Sequence, residues 1–174
     1  MRLSYLQGYP PALLAQVQAL ADAGRLAGWV AQRHPEAHTV RSERALFDYV
    51  NALKTRHMRH APPLAKVAYD PDLQLLQHAL GTHTAVSRVQ GGRLKAKREI
   101  RIAAVFRDAP ADCLHTIVVH ELAHLKQPAH DKAFYALCQH MLPDYHQLEL
   151  ELRLYLTHLE AGGERLWAAS DMPA

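Results

Sequence analysis

The stretch PADCLHTIVVHELAHLKQPAHD, residues 110–131, decides how this chain reads. Leu114, Ile117, Val118, Leu122 and Leu125 recur at the spacing of one helix face. Asp108-Ala109-Pro110 opens that helix, with an acid near its start and proline in the first turn. Pro128 must stop it, because its ring clashes with the preceding turn and it has no N–H to donate. Inside this apolar helix stands His120-Glu121-Leu122-Ala123-His124. Histidines four apart lie about 40° apart around a helix axis and one turn along it, so both imidazoles can reach one ion. The glutamate beside His120 can reach a water on that ion without taking a coordination position. Imidazoles that fix a metal, with a carboxylate that takes a proton from water, are the division of labour of a zinc hydrolase. Titratable groups in so apolar a helix are costly unless paired or bound.

A catalytic zinc takes a third protein ligand and keeps one position open. The break at Gln127-Pro128 lets the chain turn back, and His130 is the favoured third ligand. A carboxylate further on, Glu149 or Glu151, is its rival. One Zn2+ per chain is the cofactor expected, with Glu121 as the catalytic base. Asp131 can orient a ligand histidine or cap the next helix, and the cap is the preferred reading. Cys113 lies two turns before His120, about 10 Å, which is too far for a ligand. It and Cys138 read as small buried hydrophobes. His57 and His60 can also bind metal, but beside Arg56 and Arg59 they read as a solvated basic helix end.

Further along, a helix is expected over about residues 132–141, broken by Pro143. A last one runs from about Tyr145 through Leu148, Leu152, Tyr155, Leu156 and Leu159 to Gly162-Gly163. Upstream, Pro10-Pro11 leads an amphipathic helix that Gly24 ends, and Ser42 caps another carrying Leu46, Tyr49, Val50 and Leu53. Leu64 to Tyr69 reads as a strand and Asp72 to Leu80 as a short helix. From Thr82 to Phe106 the period changes to two, with Gly91-Gly92 as a hairpin turn. Arg93, Lys95, Lys97, Glu99 and Arg101 then share a wet face, opposite Leu94, Ala96, Ile100 and Ile102. Helices, a small sheet and more helices make an α+β fold. Residues 1–63 are expected to pack as a helical segment on a core domain of 64–163, with 164–174 a loose tail.

The 174 residues, 49% hydrophobic and 21% charged, suit one domain and exclude a disordered or fibrous protein. No apolar run approaches the roughly 20 residues of a spanning helix, so no membrane partner is expected. Gly8, Pro10 and Pro11 interrupt the place where a leader's apolar core would sit, and two cysteines are too few for a disulfide framework. A reduced, cytoplasmic protein is the expectation. Residues 1–107 hold 16 Lys+Arg against 7 Asp+Glu, whereas 108–174 hold 4 against 10. The basic set Arg88, Arg93, Lys95, Lys97, Arg98 and Arg101 would suit nucleic-acid phosphates. It lacks an aromatic platform for bases, and a solvated strand face is the simpler reading.

The run VVHELAHLKQPAHDKAFYALCQHMLPDYHQLELELRLYL, residues 118–156, resembles the YgjP-like metallopeptidase family, a zincin-type group related to SprT-like proteins. The resemblance is carried by HELAHL with the later His130, by Phe134-Tyr135 where the family usually has Phe-Trp, and by Pro143-Asp144-Tyr145. Weaker similarity covers about residues 64–160. The family often has Trp-Gly-Ser-Cys where this chain reads THTAVSRV at 82–89, so the role of that stretch does not carry over. The resemblance implies a zincin-like fold, with a small mixed or antiparallel sheet packed on the active-site helix. It implies His120, His124 and His130 as zinc ligands, Glu121 as base, and Tyr145 near the site as an oxyanion donor. The reaction implied is amide hydrolysis of a peptide or protein lying along the sheet edge from Ile100 to Val105. Two other readings stay open. A metal-dependent RNA nuclease is one, since endoribonucleases of the YbeY type use three histidines at this spacing and need no acid at position 121. A non-catalytic zinc domain that binds nucleic acid or other partners is the second.

Overall fold

A computed structural model describes residues 3–73 and 98–167 of the chain. Proline pre-sets the first helical turn, and α1 runs Pro11–Asp22, closed at Gly24 with a left-handed φ of +67°. A helix not foreseen in the sequence, α2 (Leu26–Arg33), follows directly, with Leu26 and Val30 buried. Eight residues interrupted by Gly28 carry too little periodicity to read, and packing holds them helical. Ser42 caps α3 (Glu43–Met58), its hydroxyl accepting from the Ala45 N–H at 3.1 Å. After β1 (Lys66–Asp70) and β2 (Glu99–Ala103) come a 3-10 turn over Ala104–Asp108 and then α4 (Ala111–His124). Asp131 caps α5 (Lys132–Met141), accepting from the Phe134 N–H at 2.9 Å. The last helix, α6, spans Tyr145–Glu160. The architecture is α+β.

The sheet corrects one expectation. Among the described residues β1 and β2 pair in parallel, from Lys66 opposite Glu99 to Asp70 opposite Ala103, and not antiparallel. Parallel neighbours need a crossover of about a dozen residues or more, and the chain between Asp70 and Glu99 is long enough to supply one. The expected hairpin at Gly91-Gly92, the helix over 72–80, and Arg88, Arg93, Lys95 and Lys97 lie outside the described residues. The strand also stops early. Val105 and Phe106 are buried in the 3-10 turn, so the edge expected from Ile100 to Val105 ends at Ala103. Arg101 is tied to Asp70 at 2.9 Å and lies 3.8 Å from Glu99.

One core runs from Tyr5 and Leu6 through Val30, Leu46, Ile102, Phe106 and α4 to Trp167, so the segments before and after residue 64 share it. Two polar seams join them. Glu151 on α6 accepts from Arg33 Nε at 2.7 Å and Gln147 at 2.7 Å, and meets His34 Nε2 at 2.6 Å. The Trp167 indole donates to the His34 carbonyl at 2.7 Å and its ring meets Tyr155 at 4.7 Å. The chain is therefore held to the core as far as Trp167, inside the stretch expected to be a tail. In the second seam, His38 Nε2 donates to the Phe106 carbonyl at 2.7 Å while Nδ1 accepts from the Val40 N–H at 3.0 Å. Burial of this neutral ring holds its pKa below the usual 6.5, against the partly offsetting Phe106 hydrogen bond. No helix among the described residues is long and apolar enough to cross a membrane.

Candidate metal centre

α4 is buried almost all round, and its last two turns carry His120 and His124 into contact with each other. The helix ends where the N–H groups of Lys126 and Gln127 both return to the Ala123 carbonyl. Pro128 forbids a further turn. Before Asp131 opens α5, the loop brings His130 back onto the pair. The Nε2 atoms of His120 and His124 lie 3.0 Å apart, those of His124 and His130 3.0 Å, and those of His120 and His130 3.2 Å. Three nitrogens around a tetrahedral zinc, at about 2.0–2.1 Å from it, would lie roughly 3.3 Å apart. The donor set therefore fits a divalent metal ion, and it is the one such group of three or more His, Cys, Asp or Glu among the described residues.

The far side of each ring explains how the Nε2 atoms come to face inward. His124 Nδ1 donates to the Gln127 carbonyl at 3.0 Å, which places its proton on Nδ1 and leaves the Nε2 lone pair toward the cluster. His120, only 2% exposed, has its Nδ1 2.9 Å from the Tyr145 hydroxyl. Phe134 packs beneath all three rings, at 4.9 Å from His120, 4.6 Å from His124 and 4.8 Å from His130. A ring so nearly equidistant from the three lies on the axis of the triad and covers one pole.

Glu121 follows His120 on α4 and is half-buried. Among the described residues no hydrogen bond or ion pair holds its carboxylate, and burial pushes its pKa up to about 8. Tyr145, expected to face an oxyanion, is fully buried and sits behind His120, on the side of that ring away from the cluster. The rival ligands are occupied elsewhere. Glu149 accepts from Arg153 at 2.8 Å, and Glu151 holds the seam to α2. His57 meets His140 edge-on at 5.9 Å and His60 accepts from Arg59 at 3.2 Å. Cys113 and Cys138 are buried thiols. The sequence reading missed the Phe134 floor and the Gln127 carbonyl. Phe134 follows His130 by four residues, which is a usable signal; a backbone carbonyl leaves none.

The family described as YgjP-like, metallopeptidase domain matches residues 78–155, a span that includes α4, α5 and most of α6. A protein of Escherichia coli (strain K12) named UTP pyrophosphatase is 55% identical over 164 residues, covering 94% of this chain and 98% of that protein. No solved structure matches.

Proposed function

We propose, from the premise that this chain belongs to the YgjP-like family, that it is a metal-dependent hydrolase that splits a nucleoside triphosphate into a monophosphate and pyrophosphate. The observation that carries the substrate is the 55% identity, nearly end to end, with a protein named UTP pyrophosphatase. The chemistry is supported by three imidazole Nε2 atoms that converge within 3.2 Å of one another and by Glu121, which follows His120 on α4. His120, His124 and His130 would hold one zinc-type ion, which when bound acidifies water and supplies positive charge to phosphate oxygens. Glu121 takes a proton from the attacking water. The oxygen–phosphorus bond forms at the α-phosphorus, the bridge to the β-phosphorus breaks, and pyrophosphate carries away the bridging oxygen and its electron pair. Phe134 packs against all three imidazoles. The excess of Lys and Arg over residues 1–107 favours a polyanionic substrate over a neutral one.

A second reading is amide hydrolysis on a zincin-like scaffold, favoured by the metallopeptidase description of the matching family. Both reactions use the same ligands and base and differ in the electrophile. The test is to strip the protein with chelator, reload it with zinc, and assay pyrophosphate release from UTP beside cleavage of peptide and RNA pools. Pyrophosphate and UMP are the expected products. Glu121→Gln should lower the rate by about 10²–10⁴-fold while metal content stays at the wild-type level. Peptide or RNA cleavage without pyrophosphate release would replace the substrate assignment. Full metal occupancy with none of the three activities would leave a non-catalytic metal domain.

A further inference from the structure

We propose that His57 and His140 form a second divalent-metal site, apart from the triad, whose ion ties the end of α3 to the end of α5. Imidazole pairs of this kind take zinc, copper or nickel. The proposed hydrolysis makes no use of them. His140 lies six residues beyond Phe134 on α5, about 9 Å along the helix from the floor of the triad.

His57 stands in the last turn of α3 and His140 in the last turn of α5, far apart in the chain. Their ring centres lie 5.9 Å apart with the planes at 85°. Two imidazoles on one tetrahedral ion, each nitrogen about 2.0–2.1 Å from it, hold their ring centres roughly 5.2 Å apart. Within the triad, His120 and His124 stand at 4.7 Å and 82°. The new pair has the same crossed planes and closes to the required spacing by a small turn of His140, which is exposed. Among the described residues neither ring has a hydrogen-bond or ion-pair partner, so binding an ion breaks no existing bond. The sequence alone pairs His57 with His60, but the His60 ring accepts from Arg59 Nε at 3.2 Å.

A ligand imidazole must be neutral. Burial, then Arg56 and His140, hold the His57 pKa below the usual 6.5, so its ring is uncharged at neutral pH. His115 on α4 faces α3, its ring centre 6.3 Å from that of Tyr49, and its buried Nε2 has no hydrogen-bond partner. Burial lowers its pKa as well, against the raising effect of Asp112, so it adds no positive charge to repel an ion. Arg56 is exposed, and solvent screens its charge. Two protein ligands leave the remaining positions to water, so this site holds metal more weakly than the three imidazoles of the triad.

The test titrates zinc into the chelated full-length protein, with bound metal read by equilibrium dialysis and the histidine ring C–H signals by NMR. Wild type should take two zinc ions per chain, one tight and one weaker, and the weaker one should shift the His57 and His140 signals together. It should also raise the melting temperature above that of the protein holding the tight ion alone. His140→Ala trims an exposed side chain, so its zinc-free form should melt at the wild-type temperature; it should lose the weaker ion and keep the tight one. His57→Ala should lose the same ion, and the double variant should lose no more than either alone. His120→Ala should weaken the tight ion and leave the weaker one in place. Saturation of the wild type at one tight ion would overturn the proposal. So would a weaker ion that persists in His140→Ala or leaves the His57 signals unmoved, since it would then be an adventitious ion only. A wild type that lacks the tight ion yet binds one through His57 and His140 would refute the triad and sustain this site.

Discussion

Replacing Glu151 with alanine tests whether this buried acid is a structural partner or the rival metal ligand. Its side chain is 2% exposed and takes hydrogen bonds from Arg33 Nε, Gln147 and His34 at 2.7, 2.7 and 2.6 Å. Removing one side of a buried charged network costs about 3–5 kcal/mol, chiefly through the partners left behind. Arg33 is 48% exposed along its side chain and can turn to water, so its share is largely recovered. His34 is 5% exposed and, among the described residues, its ring keeps Asp112 at 3.2 Å. The lower end applies, about 3 kcal/mol. At about 2–4 °C per kcal/mol for a chain of this size, the melting temperature should fall by roughly 6–12 °C. Calorimetry at neutral pH, with zinc content measured on the same sample, should find that fall and undiminished metal. A variant that melts within about 2 °C of wild type but has lost its zinc would refute the reasoning and make Glu151 a ligand. The pH dependence gives a second check. Burial raises the Glu151 pKa, but the hydrogen bonds from Gln147, Arg33 and His34 outweigh it and hold the carboxyl below 4.5. A depressed folded value means that the stabilisation is present above about 4.5 and is lost as pH falls through the folded pKa. The gap between wild type and variant should therefore narrow on acidification in that range.

Zinc at 100 times its dissociation constant should stabilise the protein by about 2.7 kcal/mol, a rise of roughly 5–11 °C in melting temperature. His130→Ala should remove most of that rise, and a full rise in the variant would place the third ligand elsewhere. His38 has a folded pKa below 6.5, so the unfolded chain binds a proton that the folded one does not, and stability should decline as pH falls below about 6.5. His38→Gln should show a shallower decline between pH 7 and 5 in urea titrations; parallel curves would count against the buried neutral ring. Trp167→Ala should cost roughly 3 kcal/mol, the lower end for a buried tryptophan, because its ring fills the space beside Tyr155 and its indole holds the His34 carbonyl. An unchanged urea midpoint would mean that this segment does not dock in solution.

The sequence by itself determined the local features. Two histidines one turn apart, a proline that ends their helix, Ser42 and Asp131 as caps, and His130 just past the break are all legible. Each depends on backbone geometry within a few residues, where spacing and residue type are enough. Tertiary structure alone decided the direction of strand pairing, because alternating residues mark a strand's faces and say nothing of which neighbour it meets. It decided the fates of Glu149 and Glu151, since a buried acid reads alike as metal ligand or ion-pair partner. Their partners are Arg153 one turn away and Arg33 118 residues distant. It likewise decided that Tyr145 stands behind His120, with Cys138 and Phe134 on the helix between them. Those positions depend on how three helices pack around a shared core, and a pattern along one helix does not encode the rotation of the next against it.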